Sequence, residues 1–270
     1  MKFREIFRFE FVYQARRVRT WIYFVVLFVV AYLVIRGNSI DDARNGVALV
    51  NSPYVIAATT VISSLLWVLM ATAVAGNAAA RDVRTGMHPL IYTTPIRKAD
   101  YIGGRVLAAL VLNALILLAV PAGILLGLFL PRVEPEILGP FRPAAYLSTY
   151  VFIVLPTAFA VTAIQFSLAA LNRRAVASYL GSVLLFVTVS MGAGAVINLL
   201  HMPTLGKLLD PIGFMSVVDL LSNTWTPIEK NTVLIGLQGS MLAKGILWVG
   251  IGLGVLAFTH RRFRFGHRAA

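Results

Sequence analysis

The sequence predicts an all-α polytopic membrane protein with six transmembrane helices, an N-terminal amphipathic helix at the interface and short membrane-dipping helices between spans five and six. Three observations carry that expectation. Of 270 residues, 59% are hydrophobic and only 13% are charged, where a soluble domain carries about 25% charged residues. Apolar runs recur near 20–35, 53–75, 102–130, 144–171, 175–200 and 242–259, most of them reaching the ~20 residues that cross a hydrocarbon core. The basic residues, finally, fall mostly on one side of those runs. Soluble globular and disordered classes are excluded, and residues 1–270 read as a single membrane domain.

Residues 2–14 interleave aromatic and charged positions ahead of Arg16, Arg17 and Arg19. That suits a helix on the leaflet surface with its cations among anionic headgroups; the spacing also fits alternation, so an extended segment stays open beside it. The first span is short, yet eleven of the fifteen residues from Trp21 to Ile35 are Val, Ile, Leu or Phe. Their insertion is worth about −3 to −7 kcal/mol, and Arg36 sits at the edge, where it can snorkel. No A-x-A-like site lies in Ala31–Gly37, so the segment reads as a span rather than a cleaved signal peptide.

Pro121 and Pro156 fall inside the third and fourth spans and predict kinks. Ser178-xxx-Ser182 and Ser190-xxx-Gly194 give the fifth span small-residue spacing for close packing, within the chain or between two copies. Residues 201–241 are too apolar for a polar loop. Short helices dipping into the outer leaflet and packing on spans five and six fit them, as does an extracellular helical cap. Thr226-Pro227-Ile228-Glu229 reads as a capping-box start with Pro at the first helical position. After the sixth span, Arg261-Arg262-Phe263-Arg264-Phe265 is a stop-transfer flank.

Seventeen of the 24 Lys and Arg fall on the side that holds both termini, with four of the 11 Asp and Glu; the other side has seven of each sign. The whole +13 net charge is therefore a topology signal that places both termini in the cytoplasm, and a nucleic-acid role drops out.

Missing chemistry narrows the function. Zero cysteines exclude disulfides, thiolate metal sites and a cysteine nucleophile. The sequence contains no H-E-x-x-H, G-x-S-x-G or G-x-x-x-x-G-K-[ST] motif, and its four histidines are scattered over different loops. The chain is thus expected to be no enzyme. No charge lies in the central part of a span, which disfavours ion-driven carriers. Asn113 and Gln165 are the amides at depth; they serve interhelical hydrogen bonds or a substrate pathway.

Residues 76–105 stand apart. The segment begins as a helical continuation of span two, breaks at Thr85-Gly86, passes through His88-Pro89-Leu90, breaks again at Thr94-Pro95 and restarts at Ile96. Pro89 and Pro95 limit any helix between them to about one turn. A short, rigid, charged structure parallel to the membrane is what a docking surface needs; on composition alone a solvated loop fits equally.

This segment resembles the first cytoplasmic loop of ABC-2 type permeases, the membrane subunits of ATP-binding-cassette exporters. Arg81 and Asp82, Thr85 and Gly86, Met87, Leu90, Pro95 and Ile96, and Gly104-Arg105 carry the likeness. Thr85-Gly86 reverses the family's usual order, and Asp82 stands where Glu is commoner. The likeness covers the whole chain. Asn51-Ser52-Pro53-Tyr54-Val55-Ile56, Gly139-Pro140-Phe141-Arg142-Pro143-Ala144-Ala145-Tyr146, Trp225-Thr226-Pro227-Ile228-Glu229-Lys230-Asn231-Thr232 and Arg261-Arg262-Phe263-Arg264-Phe265 further resemble the amino-terminal membrane half of permeases fused to an M1-type aminopeptidase. A stand-alone permease and the membrane half of a longer permease-peptidase polypeptide both fit.

The resemblance implies a permease subunit of an exporter in the bacterial inner membrane. Its partners would be cytoplasmic ABC ATPase subunits, a second permease copy or homologous half, and the lipid bilayer. No cofactor is expected on this chain; ATP and Mg are expected on the ATPase. Docking is implied at Arg81, Asp82, Thr85, Gly86, Met87, Leu90 and Pro95, with Phe7–Tyr13 as a second contact. Asp82→Arg is then expected to weaken ATPase association without lowering membrane insertion. Two other classes stay open: a scaffold or assembly factor that tolerates charge reversal over 81–95, and a channel or carrier that conducts without ATP. A pathway with few polar groups suits lipids, apolar peptides or amphipathic small molecules.

Overall fold

A computed structural model describes residues 2–129, 133–236 and 239–263; every regular element among them is helical. In chain order they are α1 (Lys2–Ala15), α2 (Val18–Arg44), α3 (Pro53–Arg84), α4 (His88–Tyr92), α5 (Lys98–Phe129) and α6 (Pro143–Asn172). Then follow α7 (Val176–Asn198), α8 (Pro203–Leu209), the π-helical α9 (Met215–Leu221), α10 (Pro227–Thr232) and α11 (Gly239–Arg262). Six of these, α2, α3, α5, α6, α7 and α11, are long and apolar enough to cross a membrane. The expected spans are all present; Arg264 and Phe265 of the closing basic run, and residue 130 at the end of the third span, lie outside the described residues.

Burial ranks the spans. Two thirds of the α3 window is buried but only 17% of that of α11, and composition explains the difference. Lipid tails are as apolar as Leu, so helices associate in a membrane through small residues and interhelical hydrogen bonds. α3 is rich in both, with Thr59, Thr60, Ser63, Ser64, Thr72 and a run of alanines from 78 to 80, all buried. α2 is Val, Ile and Phe on every side and leaves Ile22, Val25, Val29 and Leu33 outward. The core centres on Trp67 and Val68 of α3 with Phe166 of α6.

Both prolines interrupt the regular α-helix. Pro121 has no N–H for the Leu117 carbonyl, and α5 is interrupted by a turn at Leu118. Pro156 likewise leaves Phe152 without its partner, and α6 widens into a π turn over Tyr150–Val154. The small residues of α7 pack within the chain. Ser178 Oγ accepts from Thr72 Oγ1 at 2.8 Å and donates to the Gln165 carbonyl at 2.9 Å, and a Cβ on Gly76 would lie 2.9 Å from Ser178 Cβ. Ser190 is exposed and donates back to the Phe186 carbonyl of its own helix at 2.7 Å.

The stretch between α7 and α11 is pinned on several sides. α8 packs on α7 and α11, as expected, whereas α9 and α10 pack on α3. The Trp248 indole donates to the Leu208 carbonyl at 2.8 Å, and Thr157 Oγ1 to the Pro211 carbonyl at 3.1 Å. Buried Asp210 accepts from the amides of Ile212, Gly213 and Met215 at 2.7–2.9 Å. The predicted capping box is formed: Thr226 Oγ1 accepts from the Glu229 amide, and Glu229 from the Thr226 amide. That amide, with the Thr226 hydroxyl, holds the Glu229 carboxyl below its ordinary pKa.

Both chain ends meet at one end of the bundle. α1 packs along the start of α5, and the Phe263 ring after α11 stacks on Tyr101 at 5.8 Å.

Candidate functional site

At this terminal end α3 outruns the hydrocarbon. Its 32 residues span about 48 Å at 1.5 Å each, against a ~30 Å core. Its last turns and the first turns of α5 therefore form a platform past the apolar region, and α1 lies across it. The close approach is made by glycine: a Cβ on Gly104 would lie 3.0 Å from Ile6 Cγ2 and 3.1 Å from the Phe3 carbonyl oxygen.

Between the three helices lies a buried charge cluster. Glu10 of α1 is 3 Å or less from Arg81, at 2.9 Å, and reaches Arg105 Nε at 4.0 Å. Asp82 pairs with Arg105, accepts from the Tyr101 hydroxyl at 2.9 Å and lies 3.5 Å from Arg81 Nε. Arg105 also donates to the Ala78 carbonyl at 2.8 Å, and Gln14 donates to Glu10 at 2.7 Å. All four charged side chains are 7% exposed or less. Two carboxylates against two guanidiniums make the cluster neutral, which is what permits its burial. Aromatic faces complete the shell: Arg81 stands over Phe9 and Tyr13, and Arg105 over Tyr101.

The chain leaves α3 through a Schellman turn. Gly86 has φ +68°, the Met87 amide donates to the Asp82 carbonyl at 2.9 Å, and the Gly86 amide to Val83 at 3.3 Å. The Thr85-Gly86 order is thereby explained, because the position that needs a left-handed residue is 86. α4 is one short turn, as the flanking prolines require. The Lys2 ammonium donates to the Pro95 carbonyl, and Lys98 to the Arg261 carbonyl at 3.3 Å, so both chain ends tie down the far side of the loop.

The predicted site residues thus divide. Thr85, Gly86, Met87, Leu90 and Pro95 are exposed, Leu90 at 64%. Arg81 and Asp82 are not: their side chains are engaged inside the chain, because α3 continues to Arg84 and α1 covers this face. A charge reversal at Asp82 therefore acts on the fold itself. The second expected contact is also divided, with Phe9 outward and Glu10 inward. Asn113 Nδ2 donates to Thr162 Oγ1 at 3.0 Å, and Gln165 Nε2 to Ser182 Oγ at 2.7 Å and the Val68 carbonyl at 2.9 Å. Both amides join helices.

Sequence reasoning passed over Glu10, Gln14, Tyr101 and Arg105 as a group. A signal existed: Glu10 and Gln14 are one turn apart on a flank of α1 with Phe3 and Phe7, and an acid within an apolar stripe needs a cation. A cleft of about 480 Å³ opens beside the cluster between α1 and the loop, lined by Glu5, Phe9, Tyr13, Met87 and Ile96 among others. Among the described residues no group of acidic, histidine or cysteine side chains is arranged to hold a metal.

Over residues 4–264 the chain matches the family model described as ABC-2 family transporter protein. No curated protein matches it.

Proposed function

We propose that this chain, which belongs to the ABC-2 family of transporter proteins, is the membrane permease through which a separate cytoplasmic ATPase drives export across the bacterial inner membrane. The observation that supports this reading is the loop from Thr85 to Pro95, which exposes Thr85, Gly86, Met87, Leu90 and Pro95 and is held at both ends on a platform whose interior is a neutral, buried charge cluster. A loop that transmits force needs an outward contact face and an inward anchor. Met87 and Leu90 supply apolar contact, and the cleft beside Met87 offers room for a partner side chain.

In this reading ATP and Mg bind the partner, and closure of the ATPase dimer displaces α4. Because Asp82 and Arg105 are paired, and Glu10 is seated against Arg81, α1, the last turns of α3 and the first turns of α5 move as one body. Rigid-body displacement of packed helices is an established route between alternate states. A second permease copy completes the assembly, and both termini lie in the cytoplasm, in keeping with the basic excess at the terminal end. The outward faces of α2, α7 and α11 are apolar and available to lipid or to that second copy.

The test is affinity purification of the full chain from its host in mild detergent, compared with Met87→Glu and Leu90→Glu variants. Recovery of a phosphate-loop ATPase that both variants lose is the expected result. Equal recovery with every variant overturns the docking face, and absence of any ATPase overturns the permease reading in favour of a scaffold.

A further inference from the structure

On the opposite flank of α1 from the cleft lies an apolar groove of about 500 Å³, bounded by Phe11 and Ala15 of α1, Trp21 and Phe24 of α2, and Leu115 and Ala122 of α5. Its two polar neighbours are already used: Thr20 Oγ1 donates to the Gln14 carbonyl at 2.8 Å and the Trp21 indole to the Ala15 carbonyl at 3.1 Å. Whatever fills the groove is therefore apolar. Trp21, Leu115 and Leu118 are well exposed along it, so it opens toward the lipid-facing surface.

Helical periodicity supplies the second half of the site. Residues 4, 8, 11 and 15 are spaced i, i+4, i+7 and i+11 and share one flank of α1. That flank carries Arg4 and Arg8 toward the chain start and Phe11 and Ala15 where the groove begins. Both arginines are exposed, whereas Glu5 lines the cleft on the other side of the helix. Two cations thus lead into a slot with the volume of a fatty acyl chain. Cationic side chains beside the headgroup level attract anionic lipid, and an apolar slot beneath them selects a chain-bearing anion.

We propose that this flank is a binding site for one anionic glycerophospholipid of the adjoining leaflet, its phosphate at Arg4 and Arg8 and an acyl chain in the groove. The bound lipid fills the space between α1, α2 and the interruption of α5. It thereby fixes the α1–α2 break at Arg16-Arg17 and makes the seating of α1 depend on lipid charge.

The full chain in detergent is exposed to equal dioleoyl phosphatidylglycerol and dioleoyl phosphatidylcholine, and retained lipid is read by native mass spectrometry. One phosphatidylglycerol per chain, held in preference to phosphatidylcholine, is expected. The Arg4→Gln/Arg8→Gln double variant should lower its retention roughly thirtyfold with phosphatidylcholine unchanged. Leu115→Trp fills the groove and should abolish the preference; Leu118→Trp serves if that variant does not elute as a single species. Equal retention of the two lipids, or a preference unmoved by both the arginine and groove variants, overturns the site. Displacement of the lipid by millimolar inorganic phosphate or glycerol phosphate also overturns it, by showing an anion site without an acyl component.

Discussion

The Glu10 carboxylate lies 2.9 Å from the Arg81 guanidinium, with the glutamate only 1% exposed, so the first helix is attached to the second span by a buried ion pair. Removing one member of such a pair leaves an uncompensated charge, which costs about 3–5 kcal/mol. Glu10→Ala should therefore lower the melting temperature in detergent and free α1 to proteolysis ahead of the bundle. Glu10→Gln keeps a hydrogen-bond acceptor and should fall between. Equal melting of Glu10→Ala and the parent chain refutes the anchoring role.

The burial of Asp82 separates it from the loop that follows. Asp82→Arg sets three guanidiniums against the single carboxylate of Glu10 and should destabilise the terminal end before it affects any partner. Leu90→Glu alters only an exposed side chain and should leave melting within about 0.5 kcal/mol of the parent. Melting curves for the two, run beside partner recovery, decide the matter: loss of recovery with intact melting belongs to the exposed face.

Gly86 tests the exit turn. Its φ is +68° and nothing lies within 4 Å of where a Cβ would stand, so the price of a side chain there is backbone strain alone. Gly86→Val should cost about 1–2 kcal/mol, while Gly86→Asn, which enters the left-handed region readily, should cost much less. A Val variant that melts like Asn contradicts the Schellman assignment.

Contact between α3 and α7 depends on Gly76, where a Cβ would stand 2.9 Å from Ser178 Cβ. Gly76→Leu forces the helices apart and breaks the Thr72–Ser178 bond. Overpacking costs about 1–3 kcal/mol. A cysteine pair at Thr72 and Ser178 should cross-link in the parent background and not beside Gly76→Leu.

Asp210 satisfies three amides from a site closed to solvent. Burial pushes its carboxyl above the ordinary aspartate pKa, against the pull of the Lys244 ammonium and of those amides. Orphaned buried donors cost about 1–3 kcal/mol each. Asp210→Ala should be among the most damaging substitutions in this stretch. Asp210→Asn, whose one oxygen can still serve Ile212 and Gly213, should be milder. Thermal melts of the two, compared with the parent, give the order directly.

The spans, the two proline interruptions, the Thr226 capping box and the break at Thr85-Gly86 were legible because each rests on local chemistry: apolar run length, a missing N–H, a side-chain cap, a left-handed residue. Asn113 and Gln165 were legible as interhelical amides, although not their partners. The charge cluster was not, because a charge near the end of a span reads as solvated unless its partner is known. Arg81 and Arg105 meet Glu10 only through the packing of α1 on Gly104, a contact between residues far apart in the chain. Local pattern carries no record of that pairing, so Arg81 and Asp82 look like loop charges when they are interior ones.

The position of Glu10 also imposes an order of assembly. The helix that carries it is made before the cations that neutralise it, which arrive only once the second span and the start of the third have been synthesised. Until then Glu10 has no buried place and α1 must remain in contact with water. A segment made ahead of the spans is thus among the last to reach its native seat, and its docking marks that the spans carrying Arg81 and Arg105 are in register.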